Sequence, residues 1–111
     1  MKFGLSDTVI KELQDVFRRH ANIEKVLIFG SRSKGNYRAG SDIDVAVIGK
    51  DIDYNLLLSI LCEIDDLDLL YTVDLLDYQK KKGTPIGDYI DRVDQVFYAV
   101  ASTEKFVYSE K

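Results

Sequence analysis

The sequence has a single cysteine, Cys62, so no disulfide can form within the chain and nothing points to secretion. It lacks a surplus of positive charge. The formal net charge is −4, which disfavours a protein that grips long nucleic acid through backbone phosphates. No apolar run is long enough to cross a membrane, and Met1 to Ser6 has no signal-peptide hydrophobic region. Repeats and low-complexity segments are absent as well. These absences lead to the expectation of a cytoplasmic chain with no membrane partner and no long polynucleotide partner. What remains is 46% apolar and 31% charged residues over 111 positions. That suffices for one globular domain, residues 1–111, with a real core, and is too little for two.

Periodicity divides the chain into alternating helices and strands. Ser6 is placed to cap a helix whose apolar residues Val9, Leu13, Val16 and Phe17 recur at helical spacing, ending near Ala21-Asn22. A β-rich run from Lys25 to Phe29 stops at Gly30, and a short helical turn follows from Ser31. Asp42 to Ile48 reads as a second strand, with Ile43, Val45 and Val47 opposite the acids. Asp53 can cap a long helix with Tyr54, Leu57, Leu58, Leu61 and Ile64 as its apolar stripe. Leu69 to Leu76 is the third expected strand. The only proline, Pro85 after Thr84, marks a helix start, with Ile86, Ile90 and Val93 on its buried face. Val96 to Val100 is the last strand. Ser102 to Lys111 has no clear period, and Phe106 and Tyr108 there are expected to dock on the body or on a partner.

The most informative segment is a Gly30-Ser31 pair, ten residues, then Asp42-x-Asp44. In a strand, Asp42 and Asp44 point the same way, roughly 7 Å apart at Cα. At ~5 Å and an effective dielectric near 20, two carboxylates repel by on the order of 3 kcal/mol. Magnesium turns that repulsion into binding energy, since it favours one or two carboxylates plus substrate phosphates. Lys25 to Ser41 contains no acid but carries Arg32, Lys34 and Arg38. Alone, such a cluster is a solvated basic loop; beside a Gly-Ser turn and paired acids, a small phosphate ligand is the better reading. Asp74 lies in the hydrophobic run Leu70 to Leu76, where an acid is costly unless it reaches an edge, a partner or a metal.

Other polar residues have plainer readings. Asp65, Asp66 and Asp68 are a solvated helix exit, Asp77 a turn residue and Lys80 to Lys82 a solvated loop. His20, at a helix end, is a capped or surface histidine rather than a base. Cys62 is expected to pack beside core positions. Tyr37 either anchors its loop or stacks on a base.

Gly30-Ser31, Asp42-x-Asp44 and the later acid Asp74 together resemble the nucleotidyltransferase superfamily typified by DNA polymerase β. The opening Gly30-Ser31-Arg32-Ser33-Lys34-Gly35 is similar to that of its smallest branch, the minimal nucleotidyltransferase (MNT) domain found with a HEPN-domain partner in prokaryotes. The resemblance spans nearly the whole chain and implies a polymerase β-like α/β (α+β) fold, a small mixed sheet of about four strands flanked by helices. It also implies transfer of AMP from ATP with two Mg2+ ions. Asp42 and Asp44 would bridge both ions, and Asp74 would complete the ion that activates the acceptor hydroxyl and help take its proton. Gly30 would let the backbone approach the triphosphate. Ser31 would bind its β- and γ-phosphates, with Arg32 and Lys34 meeting the leaving pyrophosphate and Arg38 a further candidate.

Larger members carry a second domain that shapes the acceptor pocket, so here a partner is expected to supply part of the site. The implied role is a protein adenylyltransferase acting as the antitoxin of a HEPN/MNT toxin–antitoxin pair, of MntA type, with a tyrosine of the HEPN ribonuclease toxin as acceptor. The assembly, a homodimer or a hetero-oligomer with the partner, stays open. Two alternatives stand beside it: a small-molecule, aminoglycoside-like nucleotidyltransferase, and a nucleotide-binding subunit that neutralises its partner by contact only.

Overall fold

Ser6 opens the first helix by accepting a hydrogen bond from the Val9 amide at 3.2 Å. In the computed structural model, which describes residues 2–100, that helix, α1, runs Asp7–Arg18. It buries Leu13, Val16 and Phe17 and stops short of Ala21-Asn22 because the His20 amide turns back to the Phe17 carbonyl at 3.1 Å. Strand β1 (Ile23–Phe29) leads through Gly30 into a four-residue helix, α2 (Ser31–Lys34). Strand β2 (Ile43–Gly49) follows, then α3 (Tyr54–Asp65), where the Asp53 carboxylate accepts from the Leu56 amide at 2.8 Å. Strand β3 (Val73–Asp77) leads into the short helix α4 (Tyr78–Lys81). Thr84 and Pro85 then start α5 (Pro85–Val93), with the Thr84 hydroxyl accepting from the Gly87 amide at 3.2 Å, and β4 (Gln95–Ala99) ends the described chain. The expectation for residues 102–111 lies outside the described residues.

The strands form one mixed sheet in the order β3-β2-β1-β4. β1 pairs antiparallel with β2 and β4, whereas β2 and β3 run parallel. Alternation gives the sheet two unlike faces. One carries Val26, Ile28, Ile43, Val45 and Val47 against α1 and α3, all within 1% of full burial. Each side chain so enclosed contributes about 1.5–3 kcal/mol. The other face has a smaller core of Leu27, Phe29, Ala46 and Ile90, the last from α5. That thinner face also carries Asp44, two residues before Ala46.

Several expected positions move. The third strand begins at Val73, not Leu69, and Leu70 is 97% exposed in the preceding loop. Helix α3 buries Ile60 and Ile64 with Leu56 and Leu57 beside them, leaving Tyr54 71% and Leu58 45% exposed. Its sequence is apolar on more than one face, so spacing alone does not choose which stripe goes inside. Cys62 is exposed rather than packed. On α5, Ile90 is buried while Ile86 is 40% exposed. Asp77 is buried at 7% exposure and caps α4, accepting from the Gln79 amide at 3.1 Å.

Candidate active site

The chain leaves β1 through Gly30 with φ at +75°, a left-handed conformation that side chains rarely adopt. A Cβ there would lie 2.5 Å from Asp44 Oδ2. The glycine therefore makes room for a carboxylate as well as for the turn. Asp44 sits opposite Phe29 on one side and Asp74 on the other, in the antiparallel and parallel registers of β2. This parallel pairing brings together two acids thirty residues apart in sequence.

Asp44 is half-buried, whereas Asp42 and Asp74 are exposed. Burial first, then the charge of Asp74 and a hydrogen bond with it, then the charge of Asp42 push the Asp44 carboxyl above its ordinary value. Both neighbouring acids thus act on Asp44, Asp42 through charge alone. A cleft of about 400 Å³ opens at Asp44 and Asp74, walled by Phe29, Leu61, Leu76 and Ile86. From spacing, Leu61 and Ile86 read as core, and apolar character gives none of these four residues a sign that marks a site wall.

Among the described residues, no three acidic, histidine or cysteine side chains form a ready-made cation cage. The donor set still fits magnesium. All donors are carboxylate oxygens, one half-buried with its ionised form disfavoured by its neighbours and two open to solvent. Magnesium characteristically takes one or two carboxylates and completes its shell with water and substrate phosphates.

The phosphate-side residues separate. Ser31 is half-buried at the start of α2 and Lys34 is exposed, its Nζ 5.5 Å from the Tyr89 ring centre. Helix α2 is docked by its neighbour Ser33, which donates to the Val93 carbonyl, and by Gln95, which donates to the Ser33 carbonyl at 2.7 Å. Arg38 is exposed.

Arg32 does not meet the expectation of a pyrophosphate contact. It is 2% exposed, and its three guanidinium nitrogens donate to backbone carbonyls. Nε and Nη2 bond Ser41 at 3.0 and 2.9 Å, and Nη1 bonds Phe3 at 2.9 Å. Tyr37 and Tyr71 place their rings 5.3 and 4.8 Å from the guanidinium carbon. Arg32 is thus a clamp that ties the segment just before Asp42 to the chain's beginning. Tyr37 is a loop anchor packed on Gly4, where a Cβ would lie 2.3 Å from its ring. His20 pairs with Glu63 at 2.6 Å, joining α1 to α3, far from catalysis in role.

Residues 11–103 match the family described as Polymerase beta, Nucleotidyltransferase. The chain belongs to that family. A candidate protein adenylyltransferase of Methanocaldococcus jannaschii, MJ0604, is 28% identical over 60 residues, covering 52% of this chain and 59% of that protein. The chain thus spans little more than half the length of this curated relative. Among solved structures, the nucleotidyltransferase fold is shared with a toxin–antitoxin complex crystallised with AMP-PNP. Its TM-score is 0.65 at 22% identity, covering 92% of this chain and 80% of that one. It is shared also with a complex of tri-AMPylated Shewanella oneidensis HEPN toxin and MNT antitoxin. There the TM-score is 0.63 at 18% identity, covering 92% and 79%. In this family setting, the mixed sheet that carries Asp44 beside Asp74 is the nucleotidyltransferase sheet.

Proposed function

We propose that this nucleotidyltransferase transfers AMP from ATP to a protein, a tyrosine of a HEPN ribonuclease toxin, and so acts as the toxin's antitoxin. The observation that carries the reading is the side-by-side register of Asp44 and Asp74 at the Gly30 turn. Support for the partner comes from the likeness to complexes of HEPN toxin with MNT antitoxin and from the match to MJ0604. No helix among the described residues is long and apolar enough to cross a membrane, which is consistent with a cytoplasmic role.

In this reading the triphosphate lies at Gly30 and Ser31, with Lys34 free to meet the pyrophosphate as it departs. Asp42, Asp44 and Asp74 would hold magnesium, which when bound neutralises charge on the attacking and leaving oxygens of an in-line displacement. Asp44 stands between the other two acids' roles, facing the nucleotide side through Gly30 and the acceptor side through Asp74. Asp74, exposed on the edge strand, would accept the proton of the acceptor hydroxyl. The hydroxyl oxygen then bonds to the α-phosphorus, and pyrophosphate leaves. Arg32 holds the loop that delivers Asp42.

The test is incubation with ATP labelled in its α-phosphate and a purified HEPN protein. Magnesium-dependent label on a toxin tyrosine, with loss of ribonuclease activity, is the expected result. Neutralisation without label would favour contact alone, and label on an aminoglycoside instead would favour the small-molecule reading.

A further inference from the structure

Of the apolar stripe of α3 that spacing assigns to the core, Leu57 and Ile64 pack inward and the rest faces outward. Tyr54, Leu58 and Leu61 recur along one side of the helix, with Leu58 45% exposed. Beneath that side lies a second cleft of about 420 Å³ between α3 and β3, with Cys62, Asp65, Asp68 and Thr72 in its walls. Leu61 and Val73 line both this cleft and the one at Asp44 and Asp74, so the two are neighbours that share a wall.

Three features of this groove converge on one kind of occupant. First, β3 is a sheet edge, and among the described residues no strand pairs with its outer side. The Ile43 amide bonds the Thr72 carbonyl, so alternation turns the backbone N–H and C=O of Val73 and Leu75 outward. A chain running alongside could satisfy these groups, as in strand addition. Second, apart from the metal-holding Asp44 and Asp74, the charged lining consists of Asp65 and Asp68, with no lysine, arginine or histidine. Such a surface repels polynucleotide and attracts a basic segment. Third, the sheet order gives direction. Gly30 follows β1, Asp44 lies on the central strand β2, and Asp74 lies on β3, the side farther from the phosphate turn. With the triphosphate at Gly30, an in-line acceptor approaches from the β3 side.

We infer that this groove along β3 and α3 receives an extended, basic segment of the acceptor protein and delivers its hydroxyl to Asp74. The inference rests on the proposed adenylyl transfer and adds where the acceptor binds and what its flanking sequence is. Apolar side chains of the segment sit against Leu58 and Leu61, and its lysines or arginines face Asp65 and Asp68.

The probe is a purified HEPN protein, used with the full chain in two variants. Cys62→Arg fills the groove at its α3 wall, clear of the cleft at Asp44 and Asp74. Asp65→Asn with Asp68→Asn removes its charge, and asparagine tolerates the positive φ of +54° at position 68. The expected result is a rise in the acceptor's KM of ~10-fold or more with kcat and magnesium–ATP affinity little changed. A photocrosslinking p-benzoylphenylalanine in place of Leu58 should attach to the acceptor close to the modified residue, in a basic stretch. Unchanged KM in folded variants, or crosslinking to an acidic or distant segment, overturns the groove. Should the wild-type protein bind the HEPN protein without transferring AMP, the proposed chemistry fails while the crosslink still decides the groove. Absence of any complex overturns both.

Discussion

Gly30 and Asp44 share one space: the side chain that residue 30 does not have would collide with the carboxylate of residue 44 at 2.5 Å. The Gly30 turn and Asp44 are therefore one structural unit, although fourteen positions separate them. Gly30 was expected to matter through its approach to phosphate. The geometry adds that it determines where Asp44 can be.

Replacing Gly30 by alanine should thus damage more than nucleotide affinity. The new methyl group strains a positive φ and displaces Asp44, so label transfer should drop ~10²-fold or more, the scale of losing a catalytic group. Ser31→Ala, which removes one hydroxyl and moves nothing, should mainly weaken magnesium–ATP binding. Isothermal titration beside label transfer separates the two. Equal, purely affinity-based losses would mean that Asp44 keeps its place in the alanine variant.

Asp44 should destabilise the metal-free fold. Its folded value is raised above the ordinary 3.8, so the stability it contributes is fully present below 3.8 and is lost as pH rises through the raised value. Asp44→Asn removes that loss and should raise the melting temperature in chelator at pH 7 by a few degrees. Solvent screens part of the effect, because the group is partly solvated. A lower melting temperature for the variant at neutral pH would contradict mutual repulsion among the acids.

Divalent metal should reverse the effect. Magnesium or manganese with nucleotide should stabilise the wild-type protein by roughly 1–3 kcal/mol when well above its dissociation constant. The Asp42→Asn, Asp44→Asn double variant should show no such gain. Thermal melts with and without chelator measure this directly, and wild-type melting indifferent to metal and nucleotide would count against the carboxylate site.

Asp74→Asn should divide binding from chemistry. Gly30, Ser31, Asp42 and Asp44 remain to hold magnesium–ATP, so its affinity should change little. Transfer to the HEPN protein should fall ~10²-fold or more, as expected when a proton acceptor or metal ligand is lost. Full transfer by the folded variant would remove Asp74 from the site.

Arg32→Ala should cost stability before it costs chemistry. It leaves the carbonyls of Ser41 and Phe3 without their donor, each a penalty of about 1–3 kcal/mol where water cannot replace it. Urea denaturation should show a loss of several kcal/mol, smaller for Arg32→Lys, which retains a donor but not the guanidinium's contacts with the Tyr37 and Tyr71 rings. A fully stable alanine variant with weakened pyrophosphate contact would restore the ligand role.

What the sequence by itself determined lies within a few residues of its cause. Ser6, Asp53 and Thr84 start helices because each side chain caps an amide three positions on, a contact that needs no tertiary partner. The strands around Gly30 and Asp44, and the spacing that joins the turn to the paired acids, are legible for the same reason. What only the tertiary structure decided depends on pairing between distant segments. The parallel register sets Asp44 beside Asp74. The closing of residues 3 and 41 around residue 32 turns a basic loop residue into a buried clamp. On α3, local pattern offers several apolar faces, and packing against the sheet selects Ile60 and Ile64 and leaves Leu58 exposed and Leu61 in the wall of the open cleft. Burial is a property of what lies opposite, and a sequence window does not contain it.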